Sequence, residues 1–240
     1  MAALYPRRAP ETSQWYFHIP KCIGTKKQVA LGADMATAPQ HPLIYLISPP
    51  VLHDGFDQTL TSVLDAHEIS CFRLALANMD ELDITRAGDL CRDICHAHDV
   101  PIVIDSHVQM VERLGLDGVH LTGHKPIRDA RKTLGADAII GSHCFASKHD
   151  GMNAGEIGAD YVSFGPTTPS ALGDGTLADA ELFQWWSDFI EVPVVAQGGL
   201  DDTTISALKD CVDFFALGAE VWDNDNPNAR LKAIRTLISG

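Results

Sequence analysis

The strongest constraint on the fold is a regular alternation between short apolar runs and stretches with helical spacing. From residue 43 onward, eight runs rich in apolar, β-branched or aromatic residues recur along the chain. They lie at 43–48, 71–76, 101–105, 118–121, 138–143, 161–165, 193–197 and 214–218. Nearly continuous apolar runs are typical of strands buried on both faces, as parallel strands are. Successive runs begin roughly 17 to 32 residues apart, which leaves room for one helix and two loops.

Helical spacing fills the intervals between these runs. The predicted helices cover about 57–68, 82–98, 106–114, 127–134, 150–157, 178–189, 202–210 and 227–238. Eight strands alternating with eight helices predict a single (β/α)8 TIM barrel, an α/β fold, over residues 41–240. An open sheet that binds a dinucleotide is disfavoured, because no G-x-G-x-x-G follows the first run.

Residues 1–40 stand outside the alternation. They are rich in Pro, Lys, Arg and polar residues, with an isolated aromatic cluster at 15–17. We predict an N-terminal extension with little structure of its own. Because Met35 opens the segment MATAPQHPLIYLIS, the alternative is that residues 1–34 come from a misassigned start.

Composition excludes several classes of function. The net charge of -14 repels a phosphate backbone and argues against nucleic-acid binding. No run approaches the roughly 18 apolar residues of a membrane span, so no membrane partner is expected. Six scattered cysteines predict reduced thiols in a cytoplasmic protein rather than a disulfide framework. A homo-oligomer stays open.

Glycines after the last two strands indicate an anion site. In a TIM barrel the functional residues lie at the carboxyl ends of the strands, and phosphate often binds after the seventh and eighth. Gly198, Gly199, Gly218 and Ala219 occupy these places, and glycine lets backbone N–H groups approach an anion. The alternative is that the glycine pair only turns a tight loop. Glu220 opposes phosphate binding unless its carboxylate points away.

Three titratable side chains at or near the ends of the third to fifth strands are candidates for acid–base chemistry. These are Asp105, His120 and His143, and we expect one of them to transfer a proton. Histidine suits this role because its ordinary pKa lies near neutrality. A metal site built from the nearby histidines is the weaker alternative, since no pair has a recognised zinc spacing.

The order of these motifs resembles the thiamine phosphate synthase and thiazole tautomerase (TenI-like) family over residues 43–222. The resemblance is carried by LIYLIS, PIVIDSHVQMVERLGLDGVHL, GADAIIGSH, GEIGADYVSFGP and VPVVAQGGL. It implies a TIM barrel and a small phosphorylated heterocycle as ligand. The family's synthase joins a pyrimidine diphosphate to a thiazole phosphate and releases pyrophosphate with magnesium, whereas its tautomerase moves a proton on the thiazole phosphate.

The resemblance also points to individual positions, several of which differ from the synthase pattern. Q-L-R-E-K after the second strand is replaced by a stretch that begins at Arg73 and carries two alanines at the cationic places. Asp105 begins the pair that replaces Asn-Asp, which makes it a candidate magnesium contact. Lys125 stands where the family has a second magnesium-binding Asp, and Ser170 begins the segment that replaces T-x-T-K. The serine that binds the thiazole phosphate is replaced by Gly218.

The expected substrate-binding residues are therefore the four residues of the glycine anion site, called the anion cradle below (Gly198, Gly199, Gly218 and Ala219), together with Arg73, Lys125, Ser170 and Gln197. A pyrophosphate leaving group needs cations where its charge develops, and the replaced positions remove several of them. The sequence predicts a synthase-like barrel that acts on a thiazole phosphate or a similar heterocyclic phosphate, as a transferase or a proton-transfer enzyme. It predicts weak ordinary synthase activity and a doubtful role for magnesium. The alternative is a non-catalytic barrel that binds a ligand or a partner.

Overall fold

A computed structural model of the chain describes residues 41–76, 80–169 and 175–240. Within these ranges, eight parallel strands pair in chain order and close into a barrel, as predicted. The strands are β1 Leu43–Ile47, β2 Cys71–Leu74, β3 Ile102–Asp105, β4 Gly118–Thr122, β5 Ile139–His143, β6 Tyr161–Phe164, β7 Val194–Gln197 and β8 Phe214–Leu217. The closed order confirms the TIM barrel and excludes the open sheet.

Helices surround the barrel and follow the predicted order. They are α1 Phe56–Ala66, α2 Glu81–Ala97, α3 Val108–Leu114, α4 Ile127–Leu134, α5 Lys148–Ile157, α6 Ala180–Phe189, α7 Asp202–Leu208, α8 Ala219–Trp222 and α9 Pro227–Ser239. The four-residue α8 was not predicted. Asp80, Asp179 and Asp201 each accept a backbone N–H at the start of a helix, which satisfies one of its free donors.

Alternate residues of each strand face opposite sides of the barrel wall. In β1, Ile44 and Leu46 belong to the apolar layer under the helices, whereas Tyr45 belongs to a separate cluster inside the barrel. That inner cluster also contains Cys71, Val103, Ile139, Tyr161, Val195, Phe214 and Ala216. The interior is therefore filled by side chains, as is usual for an eight-stranded barrel.

Two strand glycines make room for neighbouring groups. A Cβ at Gly118 would lie 1.9 Å from the carbonyl oxygen of Ile139, and one at Gly141 would lie 2.1 Å from the Tyr161 ring. Each glycine therefore permits a close approach that no other residue would allow.

The predicted extension at residues 1–40 lies outside the described residues and stays a prediction. The five cysteines of the described ranges are buried and form no disulfide, and the sixth, Cys22, belongs to the undescribed part. No helix in the described ranges is long and apolar enough to cross a membrane.

Candidate active site

Polar side chains replace apolar ones inside the barrel near the carboxyl ends of the strands. Alternation along each strand places them inside, because their sequence neighbours pack against the helices. In register, Asp105 pairs with His120, and His143 pairs with Ser163. The inward-facing polar residues are Arg73, Asp105, His120, His143, Ser163 and Gln197.

Arg73 lies at the centre of this group and is already partnered. Its Nη1 donates a hydrogen bond to Gln197 Oε1 at 2.9 Å, and its Nε lies 3.3 Å from Asp105 Oδ1. Burial, the largest single effect, lowers the pKa of Arg73, but the charge of Asp105 together with the buried Tyr45, Tyr161 and Cys71 outweighs it and leaves the pKa raised. The guanidinium is thus a permanent cation whose charge the protein itself offsets.

Asp105 has one buried carboxylate oxygen, whereas the rest of its side chain is partly exposed. Oδ1 is buried and lies near Arg73, yet 37% of the side chain is exposed. Burial raises the pKa of Asp105 above its usual value, although the charges of Arg73 and then His107 act in the opposite direction. A raised carboxyl pKa moves the group toward neutral pH, as general acid–base chemistry requires.

His143 is held as a neutral ring with a defined tautomer. Because Gln197 presents its oxygen to Arg73, its Nε2 donates to His143 Nδ1 at 3.0 Å, and Ser163 Oγ lies 3.1 Å from the same atom. The ring proton therefore lies on Nε2, which is buried with no hydrogen-bond partner among the described residues. Burial, reinforced by the charge of Arg73, lowers the pKa of His143 to about 4.

His120 is hydrogen-bonded to a network of two buried tyrosines. Its Nδ1 is hydrogen-bonded to Tyr161 Oη at 2.9 Å, and Tyr161 Oη to Tyr45 Oη at 2.8 Å. Burial, followed by the charges of Arg73 and His143, lowers the pKa of His120. We did not predict the two tyrosines as site residues, although alternation along β1 and β6 would have placed both inside.

The glycine pair after β7 forms a tight turn. Gly198 and Gly199 have φ values of 79° and 72°, in the left-handed region that favours glycine. Thr167 Oγ1 donates to the carbonyl of Gly198 at 2.9 Å, and Thr168 Oγ1 to that of Gly199 at 3.0 Å. The loop after β6 therefore holds this turn from one side.

The Glu220 carboxylate points into the predicted anion cradle. Its Oε1 accepts the N–H of Leu200 at 3.1 Å, and its Oε2 accepts the N–H of Gly218 at 2.9 Å. Gly218 is buried at the end of β8, while Ala219 is exposed. Of the four residues predicted for the anion site, Gly218 thus donates its N–H to a carboxylate of the protein itself.

The other predicted ligands do not join the central group. Lys125 is exposed in the loop after β4, and Ser170 lies outside the described residues. No three His, Cys, Asp or Glu side chains in the described ranges are grouped to hold a metal ion. Asp105 Oδ1 also faces the Arg73 guanidinium, whose positive charge opposes a magnesium ion at this oxygen.

Comparisons with known proteins agree with this architecture. The profile of the family described as thiamine monophosphate synthase matches residues 44–221. The chain belongs to this family. The resemblance found in the sequence, and with it a place among proteins of thiamine biosynthesis, is therefore confirmed.

Individual relatives cover most of the barrel. A thiamine-phosphate synthase of Rhodospirillum centenum is 39% identical over 75% of this chain and 89% of its own length. One from Erythrobacter litoralis is 38% identical over 76% and 89%. The structure of a thiamine phosphate pyrophosphorylase from Pyrococcus furiosus superimposes with a TM-score of 0.73 at 22% identity, covering 82% of this chain and 95% of the other, which supports the shared fold.

Proposed function

We propose that this family member transfers a proton on a thiazole phosphate or a similar small heterocyclic phosphate, and that its ordinary synthase activity is weak. The pairing of Arg73 with Asp105 and Gln197 carries this proposal. A departing pyrophosphate is stabilised by positive charge that is not already offset by a carboxylate of the protein. Here the buried guanidinium already faces a carboxylate, which would repel an incoming diphosphate.

Asp105 is the proposed proton-transfer group among the three candidates. Its side chain is 37% exposed, whereas His120 and His143 are 5% and 7% exposed as residues. A ligand at the barrel mouth therefore reaches Asp105 without rearrangement of the barrel. Its raised pKa supports the same role.

We propose that His143 and His120 are positioning residues, which act through their contacts with neighbouring side chains and do not themselves transfer the proton. His143 Nδ1 accepts a hydrogen bond from the Gln197 amide, whose oxygen accepts one from Arg73. A substitution at His143 therefore alters the position of Gln197 and, through it, that of Arg73, the partner of Asp105. The Phe145 ring packs edge-on against the His143 ring, with 4.5 Å between the ring centroids. His120 is stacked on Tyr161 at 5.6 Å.

The synthase reaction is tested with a pyrimidine diphosphate, a thiazole phosphate and Mg²⁺, with the Rhodospirillum centenum relative assayed in parallel. We expect this chain to form thiamine phosphate far more slowly than the relative does under the same conditions. No step of the proposed function passes through a metal. Product formation at the rate of the relative would contradict the proposal.

Proton transfer is tested by exchange of a ring-adjacent C–H of the thiazole phosphate in D2O, followed by NMR. We expect Asp105→Asn to slow exchange by about 100-fold, the lower range for loss of an acid–base group. His149→Gln is the control, because His149 is exposed on α5 and bonded to Asn153. Equal rates in wild type and Asp105→Asn would remove Asp105 from this role. Stabilisation of the wild type by the phosphate without any exchange would instead support a non-catalytic ligand-binding barrel.

A further inference from the structure

The Glu220 carboxylate is fixed across the loops that end β7 and β8. One oxygen accepts from Leu200 in the loop before α7, and the other from Gly218 at the end of β8. The main chain of Glu220 is also held, because its carbonyl accepts from Asn224 Nδ2 at 2.9 Å and from Arg230 Nε at 3.2 Å. The side chain therefore bridges two loops from an anchored position.

A carboxylate in this place satisfies backbone donors in the loops after the last two strands, where TIM barrels often bind phosphate. Backbone N–H groups bind carboxylate and phosphate oxygens in the same way, through charge-assisted hydrogen bonds. One N–H cannot donate fully to two anions, and two anions brought together on the same donors repel each other. A phosphate that used the N–H groups of Leu200 and Gly218 would have to displace the Glu220 side chain.

We propose that Glu220 is an internal competitor that lowers the affinity of the barrel mouth for phosphate and so determines which ligands bind there. This inference rests on the proposed function, because it concerns the phosphate of the same ligand. It makes a ligand with a phosphate bind more weakly than the backbone geometry alone would allow. The affinity of a phosphorylated heterocycle therefore exceeds that of the corresponding alcohol by less than it would without Glu220.

The test measures the affinity for inorganic phosphate by titration calorimetry. Glu220→Ala removes the competitor, and Glu220→Gln removes its charge at nearly constant size. Asp223→Asn is the control, because it removes one negative charge from the exposed residue that follows α8. Thermal unfolding of each variant verifies that the barrel is folded, and Glu220→Gln keeps the test valid if Glu220→Ala does not fold.

We expect both Glu220 variants to bind phosphate at least about tenfold more tightly than wild type, equivalent to about 1.4 kcal/mol, and Asp223→Asn to change the affinity by less than about twofold. The same titration with the thiazole phosphate and its alcohol should show that the gain is confined to the phosphate. Equal affinity in wild type and the Glu220 variants would overturn the proposal. An absence of phosphate binding in all variants would overturn it as well.

The two proposals fail in different ways. If proton exchange occurs in the wild type but the Glu220 variants do not gain phosphate affinity, the internal competitor is wrong and the proposed function stands. If the Glu220 variants gain phosphate affinity but no variant exchanges a proton, the competitor stands and the proposed function is wrong.

Discussion

Removing the charge of Asp105 should destabilise the protein by leaving Arg73 as a buried cation without an ionic partner. At 3.3 Å and an effective dielectric constant of about 20, the attraction between Arg73 and Asp105 is about 5 kcal/mol. Water screens part of it, because 37% of the Asp105 side chain is exposed. The hydrogen bond from Arg73 to Gln197 also survives. We therefore expect Asp105→Asn to lower the free energy of unfolding by about 1–3 kcal/mol, less than for a fully buried pair.

Urea denaturation followed by circular dichroism measures this loss. The matched control is Asp225→Asn, since Asp225 is an exposed residue in the loop before α9. The double variant Arg73→Met/Asp105→Asn and the single variant Arg73→Met complete a double-mutant cycle. We expect the double variant to lose less unfolding free energy than the sum of the two single losses, by about 1 kcal/mol or more. If Asp105→Asn is as stable as Asp225→Asn, or if the two single effects simply add, Arg73 does not depend on Asp105 for its charge balance.

Two further predictions concern the interior of the barrel. The pKa of His143 falls from 6.5 to about 4 on folding, so the neutral ring stabilises the fold fully above pH 6.5, and this stabilisation decreases between pH 6.5 and 4 by up to about 3 kcal/mol. His143→Gln should flatten the pH dependence of the unfolding free energy in that window, and an unchanged slope would contradict the assignment. Gly118→Ala should cost about 3 kcal/mol or more, because its Cβ would meet the Ile139 backbone at 1.9 Å. Gly155→Ala, whose nearest contact is a Val192 methyl at 3.0 Å, is the control, and similar melting temperatures for the two variants would refute this reasoning.

The barrel was predictable because its signal is local and repeated. Eight apolar runs at intervals that admit one helix leave few arrangements that bury every strand on both faces. The short helix Ala219–Trp222 was missed, since four residues carry too little periodicity to be distinguished from a loop.

The site was predictable only in part, because its contacts cross the barrel. Position at a strand end was enough to place Asp105, His120 and His143 in the polar group inside the barrel. The pairing of Arg73 with Asp105 depends on the register of β2 and β3 and on side-chain direction, which no local pattern encodes. The sequence likewise placed Glu220 beside the cradle but left the direction of its carboxylate open.

Two carboxylates offset two sources of positive potential that the described residues place near the barrel mouth. Asp105 lies against Arg73, and Glu220 accepts the N–H groups of Leu200 and Gly218. A reaction that expels pyrophosphate must place several negative charges against these groups, so each carboxylate would oppose it. A proton transfer on a heterocycle develops far less charge and needs a carboxyl group with a raised pKa. In the proposed function, the arrangement that would oppose the synthase reaction would also supply, in Asp105, a carboxyl group with the raised pKa that suits proton transfer.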